Sequence, residues 1–221
     1  MYAQDKSTSL PTINAEGTGK MTVAPDWVTT YLTINSKGMD YNKVVQDLNN
    51  KASALEKQLI MAGFRKEDLK TTSYTINKNI VWDNNRNIDS GFIAQQSFVL
   101  EYPNNNQKIA SFVKAISEGK SGASFNFGFG LSEKKNLEVT SELIRKAVTD
   151  ATQKARILAE ANGVKLKRIY RISYGKPEIP QPIPYQMDRA MMKSEGANEF
   201  TGFNVQDIKL TDSVNITWEI E

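Results

Sequence analysis

Apolar and polar positions alternate from Thr12 to Val23. Ile13, Ala15, Gly17, Gly19, Met21 and Val23 fall on one side, and Thr12, Asn14, Glu16, Thr18, Lys20 and Thr22 on the other. Successive side chains of a strand point to opposite faces, so this period of two predicts a half-buried β-strand. Pro25-Asp26 interrupts it. Val28, Thr30, Leu32 and Ile34 then alternate with Thr29, Tyr31 and Thr33 in a second strand. The short break predicts that the two strands pair as a hairpin. The period next changes: Val44, Leu48, Ala52, Leu55 and Leu59 step by three or four, the apolar stripe of a helix. Asp40 stands where an N-cap belongs, and Gly63 where a helix stops.

The alternation returns in Thr72, Tyr74, Ile76, Ile80 and Trp82, and again over about Phe92–Tyr102, with the turn-forming run Asp83-Asn84-Asn85-Arg86-Asn87 between. Ile109, Phe112, Val113 and Ile116 predict a short helix over about Asn105–Glu118. Ala123, Phe125, Phe127, Phe129 and Leu131 form the aromatic side of a strand whose other side is Ser124, Asn126, Gly128 and Gly130. The longest helix is expected over about Leu137–Asn162. Its Ala147, Ala151, Ala155 and Ala159 make a smooth ridge that allows close approach to a neighbour. Val164, Leu166, Tyr170, Ile172 and Tyr174 predict a further strand. Ile208, Leu210, Val214, Ile216, Trp218 and Ile220 predict the last, with Asp212 interrupting its apolar side. The order is β-β-α-β-β-α-β-α-β-β. Clean alternation favours a largely antiparallel sheet with helices packed on one face, an α+β fold. Residues 12–221 are expected to form one domain after an N-terminal tail, 1–11.

Only residues 177–204 break every pattern. They hold Pro177, Pro180, Pro182, Pro184, Tyr185, Met187, Met191 and Met192. So long a stretch without regular pattern is usually functional or disordered, and these eight residues are the candidate interaction arm. Soft thioether ligands for Cu(I) are one reading of the three methionines; adaptable contact surface is favoured over it, and a mobile tether over both.

Composition narrows the chemistry. Among 221 residues there is no Cys and no His. Disulfides, thiol catalysis, Cys-zinc sites, the Ser-His-Asp triad and the usual catalytic zinc sites are therefore excluded. No apolar run approaches the roughly 20 residues of a membrane-spanning helix. Lys and Arg number 28 against 25 Asp and Glu, interspersed, which is not the concentrated basic stripe of a nucleic-acid binder. Lys165, Lys167, Arg168 and Arg171 come nearest, and charge on a solvent-facing strand explains them.

The remaining motifs are incomplete. Gly17-Thr18-Gly19-Lys20 lacks the first glycine, the Ser or Thr and the helix of a phosphate loop; close packing at the two glycines fits better. Ser117-x-x-Lys120 and Ser132-x-x-Lys135 have serine–lysine nucleophile spacing without the accompanying motifs. Asp83, Asn84, Asn85, Asn87 and Asp89 lack calcium-loop spacing. No catalytic residue, metal ligand or cofactor follows from the sequence. At the N-terminus, Tyr2-Ala3-Gln4 before a polar stretch reads either as the scar of signal-peptidase cleavage or as an ordinary cytosolic start.

Several segments, in order, resemble the SIMPL-domain family of bacterial envelope and secreted proteins. They are Gly17-Thr18-Gly19 leading to Pro25-Asp26; Gly63-Phe64 followed by Glu67-Asp68-Leu69-Lys70-Thr71-Thr72-Ser73-Tyr74; and Gly91-Phe92-Ile93-Ala94 leading to Tyr102. Lys154-Ala155, Leu158-Ala159 and Gly163-Val164 follow, then Ser213-Val214-Asn215-Ile216-Thr217-Trp218. The likeness covers roughly residues 12 to 221. Trp27 stands where the family usually has a small residue. The resemblance implies a periplasmic or secreted location, a removed signal peptide, an α+β domain prone to homo-oligomerise, and a link to envelope or oxidative stress. It supplies no catalytic residue. The expected function is a non-enzymatic envelope protein acting through homo-oligomeric assembly. The alternative is a module binding a peptide, glycan or lipid through the exposed sheet face or the 177–204 arm.

Overall fold

The computed structural model describes residues 10–83, 86–175, 183–185 and 203–221. Its elements in chain order are β1 (Thr12–Val23), β2 (Trp27–Gly38), α1 (Tyr41–Met61), a 3-10 turn (Lys66–Asp68), β3 (Leu69–Asp83), β4 (Arg86–Pro103), α2 (Asn106–Glu118), β5 (Ser124–Gly130), α3 (Glu133–Ala161), β6 (Leu166–Tyr174), β7 (Ile183–Tyr185) and β8 (Ile208–Ile220). The fold is α+β and every strand pair is antiparallel. The order is the expected one with β7 and the 3-10 turn added. Of the expected tail, residues 1–9 lie outside the described residues.

The chain divides into two compact units, each with its own sheet. The first comprises Met1–Ala24, Glu133–Pro180 and Asp207–Glu221. Its sheet has the order β1-β8-β6. Ala15, Val214, Ile216 and Trp218 of the sheet pack against Ala147, Ala151 and Ala155 of α3. Gly17 and Gly19 explain how closely α3 approaches. A Cβ on Gly17 would overlap the Ala147 carbonyl and lie 2.7 Å from Ala151 Cβ, and one on Gly19 would overlap the Leu143 carbonyl. The helix backbone thus rests on the strand at the two positions that lack a side chain. Asp150 fastens the contact. It accepts from the Thr18 N–H at 2.8 Å and from Lys154 Nζ at 2.7 Å, and Lys154 Nζ also donates to the Glu16 carbonyl at 3.0 Å.

The second unit comprises Pro25–Ser132 and Gln181–Gln206, with strand order β3-β4-β2-β5-β7. Asp40 caps α1 by accepting from Lys43 N–H at 2.9 Å, and Asn105 caps α2 by accepting from Gln107 and Lys108 N–H. These bonds satisfy amide groups that a helix start leaves without partners. The buried stripes Val44, Leu48, Leu55, Leu59 of α1 and Ile109, Phe112, Ile116 of α2 meet Val28, Leu32, Ile34, Phe98, Leu100, Tyr102, Phe127 and Phe129 of the sheet. Edge-to-face ring contacts link Phe64, Tyr102, Phe112, Phe125 and Phe127, and Phe203 closes on Phe127 and Phe129 at 5.4 and 5.6 Å. Gly91, at φ +83°, lies against the Gly38–Met39 backbone, where no side chain fits.

The expected hairpin of the first two strands does not form. β1 pairs with β8 and β2 with β4 and β5. The Pro25-Asp26 break is spent on other partners. The Pro25 and Asp26 carbonyls accept from Asn104 at 2.8 Å each, and the Asp26 carboxylate accepts from the N–H and hydroxyl of Ser132 at 2.7 Å each. The proline ring also fixes φ of Pro25 at a negative value, where tight hairpin turns begin with a positive one.

Candidate interaction surfaces

The motifs weighed for chemistry are engaged structurally. Ser132 Oγ donates to Asp26 just before α3, and Ser117 Oγ donates to the Lys114 carbonyl of its own helix. Lys135 lies 3.9 Å from Glu138. Asp89 accepts from Lys78 Nζ at 2.6 Å and from the Gly91 N–H at 2.9 Å. Asn84 and Asn85 lie outside the described residues. Among the described residues no group of three or more acidic side chains is placed to hold a metal ion.

The candidate arm is only partly described. Pro184 and Tyr185 lie in β7, where they pair with Gly128 and Phe127 of β5. Pro177, Pro180, Pro182, Met187, Met191 and Met192 lie outside the described residues. Phe203, near the end of the arm, and Val205, just past it, pack on the core of the second unit. The sequence does not reveal this packing of Phe203, because an isolated aromatic in an unpatterned stretch gives no period to read.

What the structure does display is exposed apolar surface on strands. In β6, Ile169, Tyr170 and Ile172 are each more than half exposed. Two register shifts, between Leu166 and Ile169 and between Ile169 and Arg171, break the alternation read from the sequence. Leu166, Ile169, Ile172 and Tyr174 pair with the core-facing residues Ile220, Trp218, Ile216 and Val214 of β8. Only Leu166 joins the core under α3. Cations line the same strand. Arg168 grips Glu219 through two bonds of 2.9 Å, and Lys167 lies 2.9 Å from Glu221. The Arg168 hydrogen bonds hold the Glu219 carboxyl below its ordinary range. Tyr174 donates to Asp212 at 2.7 Å, and desolvation together with that carboxylate pushes its hydroxyl up to about 12.

The second exposed region is the β3–β4 ribbon. The strands stay paired to Asp83↔Arg86, and Ile80, Val81, Trp82 and Ile88 are exposed towards that end, Trp82 by 65%. Among the described residues β3 has a strand neighbour on the β4 side only. A third surface is the face of the second sheet opposite its helices, where Tyr31 stands across from Asn126 and Thr33 across from Ser97. Asn126 Oδ1 is buried there with no hydrogen-bond partner among the described residues.

A family model described as "SIMPL: Protein of unknown function (DUF541)" matches residues 13–218. Two curated relatives, both named "26 kDa periplasmic immunogenic protein", come from Brucella melitensis biotype 1 and Brucella abortus (strain S19). Each is 25% identical over 228 residues, covering all of this chain and 90% of the relative.

Proposed function

We propose that this periplasmic chain, which belongs to the SIMPL family, acts without bond-making chemistry, by assembling with copies of itself. One observation carries the reading: the apolar residues left in the open on β6 and on the β3–β4 ribbon. Scattered surface apolar residues are ordinary, but several together on an edge strand mark places where another chain docks. A role in envelope or oxidative stress belongs to the same reading and would run through assembly, since a chain without Cys has no thiol to oxidise. Sedimentation velocity across a wide concentration series tests it. The expected result is a species above the 24.8 kDa of one chain; a strict monomer at every concentration would overturn it. Deleting residues 186–202, which keeps β7 and Phe203, separates the arm from the strand edges as the source of assembly.

A second reading is a module for a polar ligand. It is favoured by the exposed Tyr31 and the unpartnered Asn126 Oδ1 on the sheet face opposite the helices. Calorimetric titration with a soluble peptidoglycan fragment tests it, and Tyr31→Ala would abolish the heat if this face binds.

A further inference from the structure

We propose that the outer edge of β3 is where two copies join, strand to strand and antiparallel, about a two-fold axis near Thr75 and Ile76. The proposal rests on the assembly reading above and names the surface. Between its two register shifts, at Thr71/Ser73 and Lys78/Ile80, β3 is regular from Ser73 to Lys78. Among the described residues no strand pairs with its outer side, and a run of this kind is a template for strand addition. Its only charge is Lys78, already neutralised by Asp89 at 2.6 Å.

Charge then selects the partner and the register. A two-fold centred on Thr75 sets Lys78 against Thr72 and Lys70 against Ile80. Centred on Ile76, it sets Lys78 against Tyr74 and Lys70 against Trp82. Neither opposes like charges, whereas a centre at Tyr74 would confront Lys70 with Lys78, which is unfavourable. Both permitted registers lay the exposed Ile80–Trp82 tip of one copy along the start of β3 in the other, where Trp82 gains the Lys70 stem. They also support the far end of a two-stranded ribbon, a structure that is marginal alone in water. β6 offers no such self-complement. Glu219 and Glu221 hold its Arg168 and Lys167, but a two-fold at Arg168 would confront Lys165 with Arg171, and cations of this kind are the usual protection of an edge.

The absence of Cys makes the test clean, because each substituted chain carries one thiol. Thr75→Cys and Ile76→Cys, in the full chain under copper–phenanthroline oxidation, are compared with Ile172→Cys on β6. Directly opposed residues hold their Cβ atoms about 4.5–5.5 Å apart, close to disulfide reach. The expected result is a covalent dimer from Thr75→Cys or Ile76→Cys and none from Ile172→Cys. Thr75→Lys, made together with Asn77→Lys at a second exposed position so that like charges are opposed in either register, should weaken association about fivefold. A sedimenting oligomer that yields no cross-link at either position and ignores that double substitution overturns the β3 edge while leaving assembly standing. A strict monomer overturns both. A monomer that floats with phosphatidylglycerol vesicles, and loses that on Trp82→Ser, overturns the proposal in favour of a lipid surface.

Discussion

The two units solve one problem, covering a twisted antiparallel sheet with helix, in opposite ways. In the first, the helix sits directly on one strand: Gly17 and Gly19 receive the backbone of α3, and the ridge Ala147, Ala151, Ala155 packs on the sheet beside them. In the second, the space is wide and aromatic, with Phe64, Tyr102, Phe112, Phe125, Phe127 and Phe203 in contact. A seam of backbone against backbone has no room to add atoms. A core of rings has much to lose when atoms are removed. The difference teaches that the same layer architecture can carry opposite sensitivities within one chain.

Mutations can break that contrast or sharpen it. The largest effect is expected from Phe127→Ala, since Phe127 is fully buried and large-to-small changes at such sites cost about 3–5 kcal/mol. Denaturant melts measure the loss. Peptide-resolved hydrogen exchange should place the lost protection in β2, α1, α2 and β5 and spare β1 and α3. Gly17→Val comes next. Overpacking costs about 1–3 kcal/mol and here meets backbone that cannot rotate away, so exchange should rise in β1, α3 and β8. Gly17→Val protection equal to wild type would refute the close seam. Asp40→Ala should cost about 1 kcal/mol through the lost N-cap, read as a small shift in midpoint with an unchanged slope.

The smallest effect is in acid. Lys51 holds Asp47, Lys154 holds Asp150 and Arg168 holds Glu219 below the ordinary carboxylate range. A carboxyl depressed in the folded state contributes stability that is fully present above its unfolded value of about 4. That contribution is lost as pH falls through the lower folded values. Tm should be flat from neutral pH to about 5 and fall below about 4, less steeply in Asp150→Asn.

How far the sequence was legible follows the same division. The elements were readable because alternation and helical stripes are local: Val44 to Leu59, Ala147 to Ala159 and Ile208 to Ile220 declare their own periods. The two glycines of β1 were readable as a close contact, because a strand residue without a side chain has few other uses. Which strands share a sheet was not readable. Nothing in Thr12–Val23 says that its partner is Ile208–Ile220 rather than the neighbouring Trp27–Gly38, because sheet pairing is settled at long range by the helices each face must meet. The bulges of β6 and β3 were also hidden, since one extra residue flips the alternation without changing composition. The exposed surfaces escaped for that reason. Ile172 reads as an inside residue, yet it is more than half exposed, and only Leu166 of its strand joins the core under α3.

If exposed strand edges serve to meet another copy of this chain, chemical cross-linking inside intact cells with an amine-reactive reagent is the direct measurement. The account predicts a ladder at multiples of 24.8 kDa that contains this chain alone. Bands of one chain only, or of this chain joined solely to other polypeptides, would contradict it.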